Sequence, residues 1–254
     1  MNKPIDWRVF STLWLAAIFS VAALVPYILA LGLLDATRLP MPLYAVVALQ
    51  LLQNGLLYAV VISLGLYLGQ KVGLGSPALE NWFKGRAQNS LRRTLLLSST
   101  LGVLAGLLIL YLDHFAFASV VPLGVTAAEP PAWAGFLASF YGGICEELLM
   151  RLGLMTLIVW ITWLIMATPE RKPTTIGVWI AILLVSLAFG AGHLPATAKL
   201  MKITPMVVSR ALLLNGVIGV VCGWLFWKRG LESAVVAHFS ADIILHVFAP
   251  LVKP

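Results

Sequence analysis

The sequence predicts an all-α membrane protein, built as a polytopic bundle of transmembrane helices. Two properties of the whole chain support this fold class: 61% of its 254 residues are hydrophobic and only 11% are charged, and the mean hydropathy is +0.97. A third is the order of the apolar residues, which form long runs separated by short polar linkers. A soluble domain carries about 25% charged residues, so this composition argues against a soluble enzyme.

Seven apolar runs are long enough to cross the hydrocarbon core of a bilayer, which takes about 20 helical residues. They cover residues 11–34, 43–69, 94–112, 132–167, 176–193, 205–227 and 232–250. The fourth run would be about 52 Å long as one straight helix, well beyond the roughly 30 Å core. It therefore tilts, protrudes or breaks, and an eighth span is an open alternative.

The basic residues indicate how the chain is oriented. The formal net charge is +7, but the lysines and arginines are scattered between apolar runs, which argues against a nucleic-acid partner. Eleven of the 17 lie at the N-terminus and in the second, fourth and sixth linkers, and four lie on the opposite side. Because basic residues concentrate in cytoplasmic loops, we predict a multi-pass protein of the cell membrane with a cytoplasmic N-terminus. The linker at 70–93 is expected at the membrane surface.

The strongest polar feature lies in the fourth run, where Glu146, Glu147 and Arg151 interrupt an otherwise apolar stretch. Charges inside a membrane span are costly and call for a partner, a hydrated cavity or a function. On an α-helix, Glu147 and Arg151 share one face and favour an ion pair, whereas Glu146 points about 100° away. Glu146 is therefore predicted to be a free carboxylate.

Other polar residues occur in later apolar runs. His238 and Asp242 of the seventh run share a helix face, either as a hydrogen-bonded pair or as the wall of a hydrated cavity. His193, at the end of the fifth run, matches the depth of His238 if that helix continues past Pro195 with a kink. Arg210 in the sixth run is expected to partner Asp242 or to cap a broken helix.

Together these residues spell EExxxR, FxxxH and HxxxD in that order. In this combination the chain resembles the CPBP family of intramembrane proteases, also called the Abi family, which includes the CAAX prenyl endopeptidases. The resemblance covers about residues 132–250. It implies one membrane domain with N-terminal transmembrane helices at 1–130 and a catalytic core at 131–254. It also implies an endopeptidase whose partners are membrane lipids and a peptide or protein substrate, which is prenylated in one branch of the family.

The resemblance implies a role for each catalytic candidate. Glu146 would be the general base that activates a water molecule for attack on a peptide carbonyl, with the help of His193. His238 and Asp242 would stabilise the oxyanion of the tetrahedral intermediate.

The same resemblance makes Glu147 and Arg151 structural supports that hold the fourth helix in place. The last motif is usually written with Asn, where this chain has Asp242. An amide donates two hydrogen bonds and an ionised carboxylate donates none. Asp242 would therefore be protonated, orient His238 from behind, or bind a metal.

The favoured mechanism requires no cofactor, but a divalent metal such as zinc is an open alternative. Glu146, His193, His238 and Asp242 form a set of imidazoles and carboxylates that zinc accepts with one position left for water. His246 would be a further ligand or a core histidine. Two competing functions also stand: a non-catalytic membrane-binding or bacteriocin-immunity protein of the same family, and a transporter or proton-coupled channel, which the lack of inverted repeats disfavours.

Overall fold

The protein is a bundle of helices in this computed structural model, which describes residues 5–86, 91–118, 120 and 130–252. Within these ranges there is no strand, and seven helices are long and apolar enough to cross a membrane. In chain order, the seven spans are Trp7–Ala30, Leu43–Val72, Leu91–Ala116, Ala132–Met166, Thr175–Leu200, Pro205–Arg229 and Leu231–Leu251. The predicted all-α, multi-pass architecture is confirmed.

The fourth span stays in one piece, so the alternative of an eighth span finds no support in the described ranges. Its 35 residues comprise α-helix Ala132–Phe140, π-helices Tyr141–Glu146 and Leu148–Met155, and α-helix Thr156–Met166. Spans one, two, five, six and seven all pack against its middle part. The side chains of Leu148 and Leu152 are fully buried there, so this part of the fourth span is the centre of the core.

The fifth span is broken at His193 and continues past Pro195, the alternative that would bring His193 nearer to the depth of His238. Helix Thr175–Gly192 ends there, and a short helix, Leu194–Leu200, follows with Pro195 in its first turn. Proline is tolerated in the first turn because its missing N–H would have no partner there, but it cannot continue the preceding helix. His193 therefore lies at a break within the span rather than at its end.

The seventh span packs closely against the third and fourth spans at glycines of those two helices. It consists of helices Leu231–Asp242, Ile243–Phe248 (a π-helix) and Ala249–Val252. A Cβ atom at Gly102 of the third span would collide with the carbonyl oxygen of Ala237, and one at Gly135 of the fourth span would collide with that of His246. Small residues allow membrane helices to pack at such distances. These contacts fix the position of the seventh span, which carries two of the catalytic candidates.

The linker between the second and third spans is tied to the start of the seventh. It contains the short helix Pro77–Phe83. The Ser76 hydroxyl donates a hydrogen bond to Glu232 Oε1 (2.6 Å), and the backbone N–H of Leu79 donates to the same oxygen (2.8 Å). Glu232 thus accepts a hydrogen bond from a backbone N–H in the first turn of the linker helix that has no partner within the helix. It also holds the linker against the end of the bundle.

The prediction for Arg210 is wrong. Its guanidinium donates two hydrogen bonds to Asp113 of the third span, Nε to Oδ1 at 2.6 Å and Nη2 to Oδ2 at 2.7 Å. The sixth span is an unbroken helix, so Arg210 caps no break either. The physical reason is that the third helix continues to Ala116, four residues past its predicted end, which brings Asp113 within reach of Arg210.

Candidate active site

Residues from three spans converge on one place. Glu146 from the fourth span lies 3.9 Å from His193 at the break in the fifth, measured from Oε1 to Nε2. Its other oxygen lies 3.7 Å from Nε2 of His238 in the seventh span, and that nitrogen lies 3.8 Å from Asp242 Oδ1. The structure therefore brings together all four catalytic candidates that the motifs indicated.

The motif of the fourth span lies in π-helical backbone, with Glu147 at the junction of the two π-helices. π-helices are rare and frequently occur at functional sites. Arg151 still reaches Glu147, with Nε 3.1 Å from Oε2. The expected ion pair forms although the helix geometry differs from the one assumed, and Glu146 takes no part in it.

Glu147 holds two partners rather than one. Its Oε2 faces Arg151, while Oε1 lies 2.8 Å from Nδ1 of His238. Glu147 and Arg151 are almost completely buried. Within the described part of the chain, the guanidinium nitrogens lack a partner with hydrogen-bond geometry, so the contact is an ion pair. Glu147 orients His238 as well as bracing the fourth span, a link that the sequence did not predict.

The contact with Glu147 decides which way His238 points. A carboxylate accepts hydrogen bonds, so we assign a hydrogen to Nδ1. Nε2 then faces Glu146 and Asp242 on the other side of the ring. Since Glu147 occupies the position behind the ring, Asp242 does not orient His238 from behind.

His193 is fixed by the backbone of its own span. Its Nδ1 lies 2.9 Å from the carbonyl oxygen of Phe189, which can only accept, so Nδ1 carries a hydrogen and Nε2 faces Glu146. The Phe189 ring packs edge-on against both imidazoles, with centroid distances of 4.8 Å to His193 and 5.5 Å to His238. Phe189, the first residue of FxxxH, thus positions both histidines.

One side of the site is open and the other is closed. The three contacts of 3.7–3.9 Å are too long for hydrogen bonds but can be spanned by a water molecule. Side-chain exposure falls from 37% at His193 and 23% at Glu146 to 10% at Asp242 and 4% at His238. Glu146 and His193 are therefore accessible from outside the helix bundle, whereas His238 and Asp242 form a buried wall.

Three residues outside the catalytic set lie around Asp242, and one of them, His246, has a side chain that is 37% exposed. His246 Nε2 lies 3.9 Å from Asp242 Oδ1, and its Nδ1 lies 3.0 Å from the hydroxyl of Tyr27 in the first span. Gly142 lies against the same carboxylate, because a Cβ atom there would collide with Asp242 Oδ2. The sequence is compatible with His246 as either a metal ligand or a core histidine. No sequence signal distinguishes Tyr27 or Gly142 from the other tyrosines and glycines.

The donor atoms of the four predicted metal ligands do not converge on one point in this arrangement. A tetrahedral zinc ion with bonds of about 2.0–2.1 Å needs donor atoms about 3.4 Å apart and converging on one point. Glu146 instead offers a different oxygen to each imidazole. Among the described residues, a different group could hold a metal ion: Glu147, Cys222 and His238 each offer one ligand atom, and these three atoms lie within 4.8 Å of one another. There Arg151 already balances the carboxylate charge.

Comparison with known proteins assigns this part of the chain to a family. Residues 126–244 match the family model described as type II CAAX prenyl endopeptidase Rce1-like. The chain carries an Rce1-like domain. This match confirms the resemblance to the CPBP family proteases. No curated protein and no solved structure matches the chain.

The Rce1-like domain supports an intramembrane CAAX-type endopeptidase with a protein or peptide substrate. It spans all four catalytic candidates and ends two residues before His246. Tyr27 lies outside the domain, in the first span, yet its hydroxyl contacts His246. The N-terminal helices therefore contribute to the surroundings of the site.

Proposed function

We propose that this protein is an intramembrane endopeptidase in which Glu146 is the general base for peptide-bond hydrolysis. The observation that carries the proposal is the contrast between two adjacent carboxylates. Glu147 is fully buried and held by two partners. Glu146 is partly exposed and lies between two imidazoles at 3.7 and 3.9 Å. A general base needs an available acceptor within reach of water, and Glu146 meets that requirement.

Glu146 and His193 hold the attacking water. Because Nδ1 of His193 donates to a backbone carbonyl, Nε2 of the neutral ring is an acceptor, as is the facing oxygen of Glu146. A water molecule between them donates one hydrogen to each and keeps a lone pair for the carbonyl carbon. During attack Glu146 takes the proton, and it later passes that proton to the amine released when the peptide C–N bond breaks.

His238 and Asp242 form the side on which the carbonyl oxygen gains negative charge. Donation from Nε2 of His238 requires a ring protonated on both nitrogens, whose charge the Glu147 carboxylate balances at 2.8 Å. Asp242 adds a second donor as the neutral acid. Donors held in place within a buried wall stabilise an oxyanion without reorganisation.

The proposed reaction needs no metal, and its substrate is a membrane-associated peptide or protein. Prenylated peptides with a CAAX-type C-terminus are the first class to test, because the matched family model describes prenyl endopeptidases. Membrane lipids surround the spans and are the other partner.

The test is cleavage of a peptide panel by the purified protein in detergent, followed by mass spectrometry of the products. The panel contains prenylated and unmodified versions of the same CAAX peptides, each with and without a metal chelator. We expect cleavage of at least one peptide that is insensitive to chelator and lost in Glu146→Gln. Cleavage abolished by chelator and restored by zinc would contradict the metal-free mechanism. A wild type that cleaves no peptide would favour a non-catalytic member of the family.

We also propose that the N-terminus lies in the cytoplasm and the protein in the cell membrane, because the basic residues concentrate on that side. Both native cysteines are buried, so a cysteine introduced by Asn2→Cys can be labelled selectively. A membrane-impermeant thiol reagent should label it in permeabilised cells only. Labelling in intact cells would reverse the orientation.

A further inference from the structure

A large cavity lies away from the catalytic candidates, at one end of the bundle. Its volume is about 840 Å³. It is lined by the beginning of the first span, the end of the second span with its linker, and the end of the sixth span with the turn that follows it. Span ends lie near the polar headgroups of a bilayer. The cavity is therefore placed where a lipid headgroup, rather than an acyl chain alone, can enter it.

The inner part of the cavity is apolar. Four apolar lining side chains are at least 90% buried: Val9, Leu66, Leu74 and Phe226. Ser76 is a buried polar side chain in the lining, and its hydroxyl donates a hydrogen bond to Glu232. Backbone at Gly69, Gly73, Gly75 and Gly230 also lines it, so no side chains fill these parts of the wall. Ligand pockets commonly combine such an apolar interior with a few polar groups that fix the orientation.

The outer part of the cavity is basic. Four basic and two acidic side chains line it. Lys84 forms an ion pair with Glu80 at 3.0 Å, and the carboxylate of Asp6 accepts a hydrogen bond from a backbone N–H at the start of the first helix.

Among the described residues, Lys71, Lys228 and Arg229 have no carboxylate partner, and basic side chains outnumber acidic ones in the lining. Lys71 and Lys228 lie over aromatic rings, with Nζ 4.5 Å from the centroid of Tyr67 and 3.3 Å from that of Trp227. Such contacts hold an ammonium group without neutralising its charge.

We propose that this cavity binds the phosphate headgroup of an anionic phospholipid. The phosphate would lie among Lys71, Lys228 and Arg229, and the glycerol and the first acyl carbons would extend over Val9 and Leu66. Each basic residue near an anionic membrane surface contributes a similar increment of binding free energy. A lipid bound here would join the ends of the first, second and sixth spans and the turn that leads into the seventh, without touching the catalytic candidates. The inference is therefore independent of the proposed function.

The test compares two double substitutions that remove the same charge. Lys228→Gln with Arg229→Gln removes two cavity cations. Arg92→Gln with Arg93→Gln removes two exposed cations of the same predicted side that do not line the cavity. Native mass spectrometry measures phosphatidylglycerol retained from mixtures with phosphatidylcholine. We expect the cavity variant to bind phosphatidylglycerol roughly thirtyfold more weakly than wild type, and the control to bind as wild type does.

Three results would overturn the inference. Equal losses in the two double variants would mean diffuse attraction rather than a site. A wild type without preference for phosphatidylglycerol over phosphatidylcholine would mean that no anionic headgroup is selected. Displacement of the lipid by glycerol 3-phosphate at equal concentration would assign the cavity to a soluble phosphate compound. If the cavity variant does not fold, Lys71→Gln against Arg93→Gln makes the same comparison with one charge.

Discussion

The adjacent carboxylates Glu146 and Glu147 should respond differently to the same change, Glu→Gln, which removes a negative charge and keeps the size of the side chain. Glu146 is 23% exposed, and its nearest charged partner is 3.7 Å away. We therefore expect Glu146→Gln to change the free energy of unfolding by about 0.5 kcal/mol or less. Its peptide cleavage should fall by about 10²–10⁴-fold, the usual contribution of a general base.

Glu147→Gln should act mainly on stability. It leaves the guanidinium of Arg151, which is 1% exposed, without its counter-charge. Removing one partner of a buried ion pair costs about 3–5 kcal/mol. Cleavage should fall as well, because the carboxylate that orients His238 at 2.8 Å is replaced. Glu147→Gln combined with Arg151→Gln should recover part of the lost stability, since both buried charges are then gone.

Both properties can be measured on the same preparations. Unfolding in detergent, followed by tryptophan fluorescence, gives the difference in free energy, and the peptide assay gives the rate. A Glu146→Gln protein as unstable as Glu147→Gln would refute the assignment of Glu147 as the support. A Glu146→Gln protein that cleaves at the wild-type rate would refute the assignment of the base.

Three further substitutions test the surroundings of the site. Asp242→Asn should keep kcat/KM within about tenfold of wild type while Asp242→Ala loses about 10²–10³-fold, because the amide donates a hydrogen bond; equal losses would exclude a donor role. Gly142→Ala should lower cleavage and destabilise by about 1–3 kcal/mol, since its Cβ would collide with Asp242, and an unchanged rate would show that the wall is not needed. Asp113→Asn should cost about 1 kcal/mol or less by weakening the partly exposed pair with Arg210, with no effect on kcat; a large kcat loss would link this pair to the site.

The sequence predicted those parts of the molecule that depend on local periodicity and on bilayer thickness. The seven spans follow from apolar runs of sufficient length. The ion pair of Glu147 with Arg151 follows from their spacing, and it survives the change from α- to π-helix because both residues remain on adjacent turns. The break at His193 could be anticipated because Pro195 cannot continue a helix.

Contacts between distant parts of the chain could not be predicted in this way. Glu147 and His238 are 91 positions apart, Arg210 and Asp113 are 97 apart, and Tyr27 and His246 are 219 apart. Each pair depends on the rotation of two helices about their axes, which packing determines. The close approach of the seventh span to Gly102 and to other small residues sets that rotation. Hydropathy indicates which residues lie in the membrane, but it does not indicate which faces of the helices contact each other.

The break in the fifth span is what prepares His193 for its proposed role. In a continuous α-helix the carbonyl oxygen of Phe189 would accept the backbone N–H of His193. At the break that N–H turns instead to the carbonyl of Gly190, at 3.3 Å, and the Phe189 oxygen accepts from the imidazole Nδ1 at 2.9 Å. This exchange fixes the tautomer, and with it the acceptor nitrogen that faces Glu146. The same break leaves His193 the most exposed of the four catalytic candidates.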